Sequence, residues 1–529
     1  MKESLRKRDG HYEIRLPFRK DDLRMPNNRQ MAEQRAYGLK KRLEKDESFK
    51  KDYVCFMNDV LLKGHEEMVP EEQLHRTDGR LWYIPHHGVY HKRKKTIRVV
   101  FDCTSAYRGT SLNTELLQGP ELTNTLLGVL LKFRPETVAV MDDIEGMFHQ
   151  VKIPETDVDF LRFLWWPVGD TTQALREFRM TVHLFGAVSS PSCANFALKQ
   201  TAEDNEGKAD SSALNTIRHN FYVDDCVKSV PDENQAISLV QNLKKICATG
   251  GFKLTKWTSN SRSVLASLPV EEKAKEVKNI DLEKDNLPVE RALGMRWDVE
   301  SDTFFFDITP KQQPVSRRGI LSVLNSVYDP LGFLSPVMLT GKLIQQRLCK
   351  TNCGWDGEIP PALASNWSEW QKDLHGISDF RIERCYKPVD FDVTDTQLHY
   401  FCDASESGYG TVSYIRFTTG SKPPHITLGM GKARVAPLKV VTIPRMELTA
   451  AVLAARIDNM LRKELGLQIS DSFFWTDSTS VLKYILSDTQ RFKTFVANRV
   501  SVIRDLTQKS QWRHIKTDLN PADNASRGM

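Results

Sequence analysis

Two places in this 529-residue sequence put adjacent carboxylates where apolar strands end. Val138 to Met141 reads as a strand and runs into Asp142-Asp143. Downstream, Tyr222-Val223-Asp224-Asp225 sets two acids at the turn of a hairpin running from Phe221 to Val230. Neighbouring acids repel, and in a turn flanked by apolar strands the repulsion calls for a counter-charge that a divalent cation supplies. Phosphoryl transfer to a sugar hydroxyl uses two such ions, one at the attacking oxygen and one at the leaving pyrophosphate. Three carboxylates from neighbouring strands meet that need. A lone Asp-Asp is ordinarily a solvated turn. Here two such sites occur in order, with Asp143 81 residues ahead of Asp224.

A second set of acids follows the same logic near the C-terminal end. Asp403 follows a strand from Leu398 to Cys402. Glu447 opens a long helix marked by Met446, Ala450, Leu453, Ile457 and Leu461. Asp477 ends a strand from Phe473 to Thr476, ahead of a helix from Ser478 to Ile485, and Asp523 lies in the closing Asn520 to Arg527 segment. Taken singly, each is an ordinary surface acid.

The elements that must position these residues are legible as patterns. Ala32, Ala36, Leu39 and Leu43, then Val54, Met57, Val60 and Leu61, predict two amphipathic helices over residues 28–64. From about 80 to 310 the pattern is mixed. Phe178, Met180, Val182 and Leu184 alternate as in a half-buried strand. Ser190 to Glu203 reads as a helix with Pro191 in its first turn, and Ile237, Val240, Leu243 and Cys247 form a helical stripe that stops at Gly250-Gly251. Residues 310–395 read as mostly helical, and a new α/β unit begins near 396.

Composition bounds the class. Hydrophobic residues make up 40% and charged residues 27%, so a sizeable core is available in two to four domains. No apolar run is long enough to span a bilayer, and no charged-then-apolar leader follows Met1, so neither membrane nor secretion is expected. The nine cysteines are scattered singly, which disfavours a disulfide framework or a structural zinc site and fits a reducing, cytoplasmic compartment. Residues 1–100 hold 24 Lys/Arg against 16 Asp/Glu, an excess of 8, while the whole chain carries only +6. Such a basic N-terminal stretch suits a polyanion partner.

These motifs resemble reverse transcriptases. Tyr222-Val223-Asp224-Asp225 resembles their catalytic signature, and Asp143-Ile144-Glu145-Gly146-Met147-Phe148 their other metal-binding strand. Arg98-Val99-Val100-Phe101-Asp102 is similar to the fingers strand whose arginine grips the triphosphate; Lys92, Arg93, Lys94 and Lys95 sit just upstream, and one of these lysines is expected to add a second phosphate contact. Gly186 to Pro191 resembles the loop beneath nucleotide and template, although Phe185 stands where many retroviral relatives have Gln. Gly251-Phe252-Lys253-Leu254 and Leu293-Gly294-Met295-Arg296-Trp297 look like later palm segments, the second being the primer grip. The resemblance implies catalytic and metal-binding roles for Asp143, Asp224 and Asp225. It implies nucleotide contacts from Arg98, Phe148, Gly186 and Tyr222, with Phe148 excluding a 2′-hydroxyl. The ordered acids Asp403, Glu447, Asp477 and Asp523 resemble the metal cage of ribonuclease H. Many relatives carry a histidine loop before the last acid, but here the nearest is His514, on an expected strand. The helix that should hold Asp523 is expected to be short.

Leu112-Asn113, Leu117-Gln118-Gly119-Pro120, Phe148-His149-Gln150-Val151, Tyr328-Asp329-Pro330-Leu331-Gly332 and the Asn520 to Gly528 tail are similar to BEL/Pao-type LTR retrotransposon polyproteins. That resemblance implies an α+β architecture: a right-hand polymerase of fingers, palm and thumb, followed by a ribonuclease-H-like α/β domain. Its divisions are a basic helical extension (1–80), fingers and palm (81–305), thumb and connection (306–395) and the ribonuclease-H-like domain (396–529). It implies two Mg2+ per active site. The implied partners are an RNA or DNA template with its primer, an RNA–DNA hybrid and dNTPs. The oligomeric state is left open. No Asp-Thr-Gly or Asp-Ser-Gly protease signature and no integrase-type His/Cys cluster is present, as in one segment of such a polyprotein. Two functions stand side by side: an RNA-directed DNA polymerase with ribonuclease H, and a catalytically silent nucleic-acid-binding remnant.

Overall fold

The apolar stripes of the first sixty residues form two helices, α1 (Arg29–Lys45) and α2 (Glu47–Leu62), in a computed structural model that describes residues 1–90, 96–308, 313–351, 353–420 and 422–529. Asp46 separates the helices. Its side chain accepts from Phe49 N at 2.9 Å and caps α2. The buried face of α1 is the expected one, Ala32, Ala36, Leu39 and Leu43. That of α2 is Phe49, Tyr53, Met57 and Val60, whereas Leu61 is 47% exposed and Val54 only half-buried. The aromatic residues carry more apolar area and set the rotation of the helix.

The chain divides into two compact units. One comprises residues 1–124, 142–226 and 237–256, and the other residues 125–141, 227–236 and 257–529. The first unit also holds a hairpin of β1 (His86–Tyr90) and β2 (Ile97–Phe101). The strand expected around Phe178 ends at Met180, and Val182 and Leu184 are buried beyond it. Glu177 and Arg179 in that strand are buried as well, because each finds an opposite charge: Arg162 at 3.0 Å and Asp159 at 3.1 Å. Simple alternation therefore fails there.

A four-stranded sheet contains β3 (Val138–Ile144), β4 (Phe221–Tyr222), β5 (Asp225–Val230) and β6 (Leu254–Ser259), in the order β6-β3-β5-β4. The helices α3 (Ser190–Asp204) and α4 (Glu233–Thr249) follow the predicted runs. The unit boundaries fall within β3, β5 and β6.

In the second unit, β7 (Val289–Ala292), β8 (Met295–Asp298), β9 (Thr303–Phe305) and β10 (Arg381–Glu383) pair antiparallel in sequence order. Between the last two run the helices α5 (Arg317–Leu324), α6 (Ser335–Lys350) and α7 (Pro361–Gly376), as the helical pattern predicts.

A five-stranded sheet follows: β11 (Asp395–Ala404), β12 (Gly408–Thr418), β13 (His425–Val435), β14 (Asp471–Thr476) and β15 (Trp512–His514). Its order is β13-β12-β11-β14-β15. The first three strands are antiparallel, and β14 and β15 run parallel to β11. The long helix α8 (Ile443–Glu464) buries an alanine-rich face that includes Ala450, Ala451, Ala454 and Ala455. α9 (Thr479–Leu486), α10 (Thr494–Leu506) and the short α11 (Asp523–Arg527) complete this part. β11 is longer than the predicted Leu398–Cys402, so Asp403 lies inside the strand rather than after it.

Candidate active sites

β3 presents its two acids to opposite sides, because side chains alternate along a strand. Asp143 is partly exposed. Asp142 is 1% exposed beside Cys226 and Cys247, its carboxyl raised well above the usual range by burial first and then by Asp143 and Asp225. Neither Asp142 oxygen has a full hydrogen bond. Asp142 is thus a core acid, and Asp143 faces the site.

The β4–β5 hairpin turns through Val223 and Asp224, since Tyr222 pairs with Asp225. Val223 holds φ +57°, an uncommon conformation for a β-branched residue, and such strain is kept where the surroundings over-determine it. The turn lies against the end of β3, where Ile144 N donates to Asp224 O at 2.9 Å. Burial and then Asp143 raise the Asp224 carboxyl, while Lys256 and Arg98 pull it down. Asp143 and Asp224 therefore feel each other directly. The charge of Asp225 also helps raise the Asp142 carboxyl.

Lys256 carries a functional signal that the sequence reading missed. It sits in β6 at φ +59°, and its Nζ lies 2.7 Å from Asp143 Oδ1. An exposed lysine within a largely buried strand has no distinguishing pattern, so only the tertiary contact reveals it.

Arg98 is exposed on β2, and its charge reaches Asp224. Lys92, Arg93, Lys94 and Lys95 lie outside the described residues. Phe148 sits in a short 3-10 turn (Met147–Gln150) entered through Gly146 at φ +56°. The Phe148 ring is 8% exposed, and the Phe185 ring lies against it at 4.5 Å between centroids. Gly186 at φ +121° is held close to β2, where a Cβ would strike the Phe101 carbonyl oxygen. Asn113 ties this loop at both sides, donating to Gly186 O and accepting from Val188 N, each at 2.9 Å. Tyr222 is half-buried at the end of β4.

In the second unit, Leu293 and Gly294 turn the β7–β8 hairpin at φ +48° and +92°. Tyr328 Oη donates to Leu293 O at 2.8 Å. This joins two motifs that the sequence left unconnected.

The second group of acids converges. Phe401 pairs with Trp475 in parallel register, so Asp403 and Asp477, two residues on, lie at the same C-terminal end of neighbouring strands. Glu447 is in the first turns of α8 and accepts from Ser478 Oγ at 2.5 Å. Asp403 is raised by burial, then by Asp477 and Asp523. Glu447 is raised by burial, then by Asp477 and Asp403. The short α11 is well anchored. Ser526 Oγ donates to the Asp403 carboxylate, Ser405 Oγ donates to Ser526 O at 2.7 Å, and Arg527 pairs with Asp523 at 2.7 Å. His514 ends β15 opposite Thr476 and is exposed.

Among the described residues no three His, Cys, Asp or Glu side chains form a ready-made metal cage. The donor chemistry nevertheless fits hard divalent cations: acids of like charge held together, and a buried Asp477 Oδ1 without a hydrogen-bond partner. All nine cysteines are free. Among the described residues no helix is long and apolar enough to cross a membrane.

Residues 316–478 match the family described as Pao retrotransposon-like RNaseH-like domain. The match begins ahead of β11 and takes in α5, α6 and α7. No curated protein sequence matches the chain. Among solved structures, a foamy viral protease–reverse transcriptase dRH in complex with double-stranded DNA is 14% identical with a TM-score of 0.55, over 88% of this chain and 68% of that one. The foamy viral protease–reverse transcriptase with RNA/DNA hybrid is 13% identical at TM-score 0.52. There 88% of this chain covers 53%, about half, of the other. The same viral protein with double-stranded DNA is 14% identical at TM-score 0.52, covering 88% and 82%. Residues 316–478 are thus similar to the Pao retrotransposon-like RNaseH-like domain, and the structural likeness gives the chain the right-hand polymerase fold followed by a ribonuclease-H-like α/β domain.

Proposed function

We propose that the chain is an RNA-directed DNA polymerase of a retrotransposon, joined to a ribonuclease H that degrades the RNA of RNA–DNA hybrids. The observation that carries this reading is the meeting of Asp143 and Asp224 at adjoining strand ends, joined by the Ile144 N to Asp224 O hydrogen bond at 2.9 Å. Asp143, Asp224 and the neighbouring Asp225 would hold two magnesium ions, which supply activation of the primer 3′-hydroxyl and charge stabilisation on the leaving pyrophosphate. Arg98 pairs the triphosphate oxygens through its planar fork. Phe148 sets an apolar wall beneath the sugar and disfavours a 2′-hydroxyl. Gly186 lets the backbone run close under the nucleotide, and Tyr222 anchors the turn that carries Asp224.

In the ribonuclease half, Asp403, Glu447, Asp477 and Asp523 would hold their own pair of ions around the scissile phosphate. Ser526 and Ser478 orient Asp403 and Glu447 by hydrogen bonds. The functional divisions proposed are residues 1–80, 81–305, 306–395 and 396–529. The substrates proposed are dNTPs on a primed RNA or DNA template. Nine free cysteines fit a reducing, cytoplasmic setting.

The test is magnesium-dependent primer extension on an RNA template, wild type beside Asp224→Asn. Extension that is selective for dNTPs and abolished in the variant is the expected result. No extension by folded wild type that still binds the hybrid would leave a nucleic-acid-binding remnant.

A further inference from the structure

Tyr328-Asp329-Pro330-Leu331-Gly332 belongs to neither group of acids, and its two ends touch different parts of the second unit. At one end, Tyr328 Oη donates to Leu293 O at 2.8 Å. Leu293 and Gly294 form the turn of the β7–β8 hairpin, and a Cβ on Gly294 would press into the Tyr328 ring. At the other end, Gly431 N of β13 donates to Leu331 O at 2.9 Å. Gly332, at φ +71°, lies so near β13 that a Cβ on it would strike the Gly431 carbonyl oxygen, and a Cβ on Gly431 would strike that of Gly332. Two glycines thus let two backbones cross in contact.

Between its ends the segment is stiff. Asp329 accepts from Phe333 N at 2.9 Å through one carboxylate oxygen and from Leu334 N at 2.8 Å through the other. Pro330 has its φ fixed by its ring, and Leu331 is fully buried. Past Gly332 the chain enters α6. Leu339 of α6 packs with Ala433 of β13 and Ala525 of α11, and Thr340 Oγ1 donates to Met529 O at 2.8 Å. β13 lies beside β12, β12 lies beside β11 with its Asp403, and α11 carries Asp523. A turn that merely opened α6 would need neither a hydroxyl on a separate hairpin nor a second glycine on β13. Four residue steps span at most about 14 Å, so the hairpin turn and the sheet edge keep a short, fixed separation.

We propose that Tyr328 to Gly332 is a strut that fixes the β7–β8 hairpin to the ribonuclease half, and so sets at which phosphate, counted from the primer terminus, an RNA–DNA hybrid is cut. Tyr328 is a positioning residue, because it acts through Leu293. The strut rests on the reading of β7–β8 as the hairpin that holds the primer, and of Asp403, Glu447, Asp477 and Asp523 as the ribonuclease site.

The test maps magnesium-dependent cuts in the labelled RNA strand of a hybrid whose DNA primer has a recessed 3′ end. Wild type is compared with Tyr328→Phe, which removes only the hydroxyl, and with Gly332→Ala, and the melting temperature of each is recorded. Wild type should cut at one principal distance from the primer terminus. In Tyr328→Phe the share of cuts at that distance should fall by about twofold or more, within what the loss of one hydrogen bond allows, while total hydrolysis stays near wild type. Gly332→Ala should spread the cuts further, and Tyr328→Phe reports even if that variant melts early. A folded Tyr328→Phe chain with the wild-type cut pattern would overturn the strut, since a purely structural hydroxyl shifts melting and leaves the pattern alone. Wild-type cuts with no preferred distance would overturn it too. A hydroxyl-radical footprint on the same hybrid reads the register without any cutting. A chain that never cuts, yet whose footprint edge is sharp in wild type and blurred in Tyr328→Phe, keeps the strut and loses the ribonuclease reading. An edge equally sharp in both overturns the strut, as does a wild-type chain that binds no hybrid.

Discussion

In the core of the second unit, the Arg134 and Arg384 guanidinium groups each bond to the backbone of the other's segment. Arg134 Nε donates to Arg384 O at 2.9 Å, and the Arg384 guanidinium donates to Phe133 O at 2.6 Å. Arg384 is neutralised by Asp302 at 2.6 Å. Arg134, fully buried, instead donates to carbonyl oxygens of Glu383, Leu428 and Gly429, with the Tyr386 ring 4.1 Å away. One side chain thus ties the segment before β3 to β10 and β13.

Arg134→Ala is expected to cost about 3–5 kcal/mol, because it strands several buried carbonyl oxygens and leaves a void. The denaturant midpoint checks this. A loss below about 1 kcal/mol would mean that water replaces the guanidinium without penalty.

Phe148→Ala should open the sugar pocket. The ratio of kcat/KM for dNTP over rNTP is expected to fall by about tenfold or more, a size typical of one shape-selective contact. Single-nucleotide incorporation measures it. An unchanged ratio would make Phe148 a packing residue only, held by Phe185.

Asp142→Ala should raise stability by about 1–3 kcal/mol, since it removes a buried carboxyl without full hydrogen bonds. Thermal melting reads the change. A drop in melting temperature would show that the Cys226 contact matters more than desolvation.

Glu66 carries a pH prediction. Burial raises its carboxyl from the ordinary 4.5 to about 8. The unfolded chain therefore releases a proton near 4.5 that the folded chain keeps. The stabilisation is full below 4.5 and is lost as pH rises toward about 8. Glu66→Gln should melt higher than wild type at pH 8 and about equally near pH 4. Melting curves that stay parallel across this range would remove Glu66 as a source of pH dependence.

Much of the architecture was legible because local chemistry dictates it. The α1 stripe, the Pro191-led helix, the Asp-bearing hairpin and the long α8 each have a period or a stop signal that no partner has to supply. The order of the acids could likewise be read from spacing alone. Three things could not be read. β13 and α10 lack a clean periodic signature, because β13 is only partly buried and α10 buries just Val500 and Ile503. The rotation of α2 depended on which aromatics found space. The division of labour between Asp142 and Asp143 depended on which face of the sheet meets the helices.

The sequence by itself determined which residue types could do chemistry, their order, and the helices and strands that carry them, since these follow from backbone periodicity and side-chain polarity. Only the tertiary structure decided that Asp143 meets Asp224, that Lys256 reaches Asp143, and that Gly332 lies against Gly431. Contacts between residues far apart in sequence are fixed by packing and desolvation, and no local spacing encodes them.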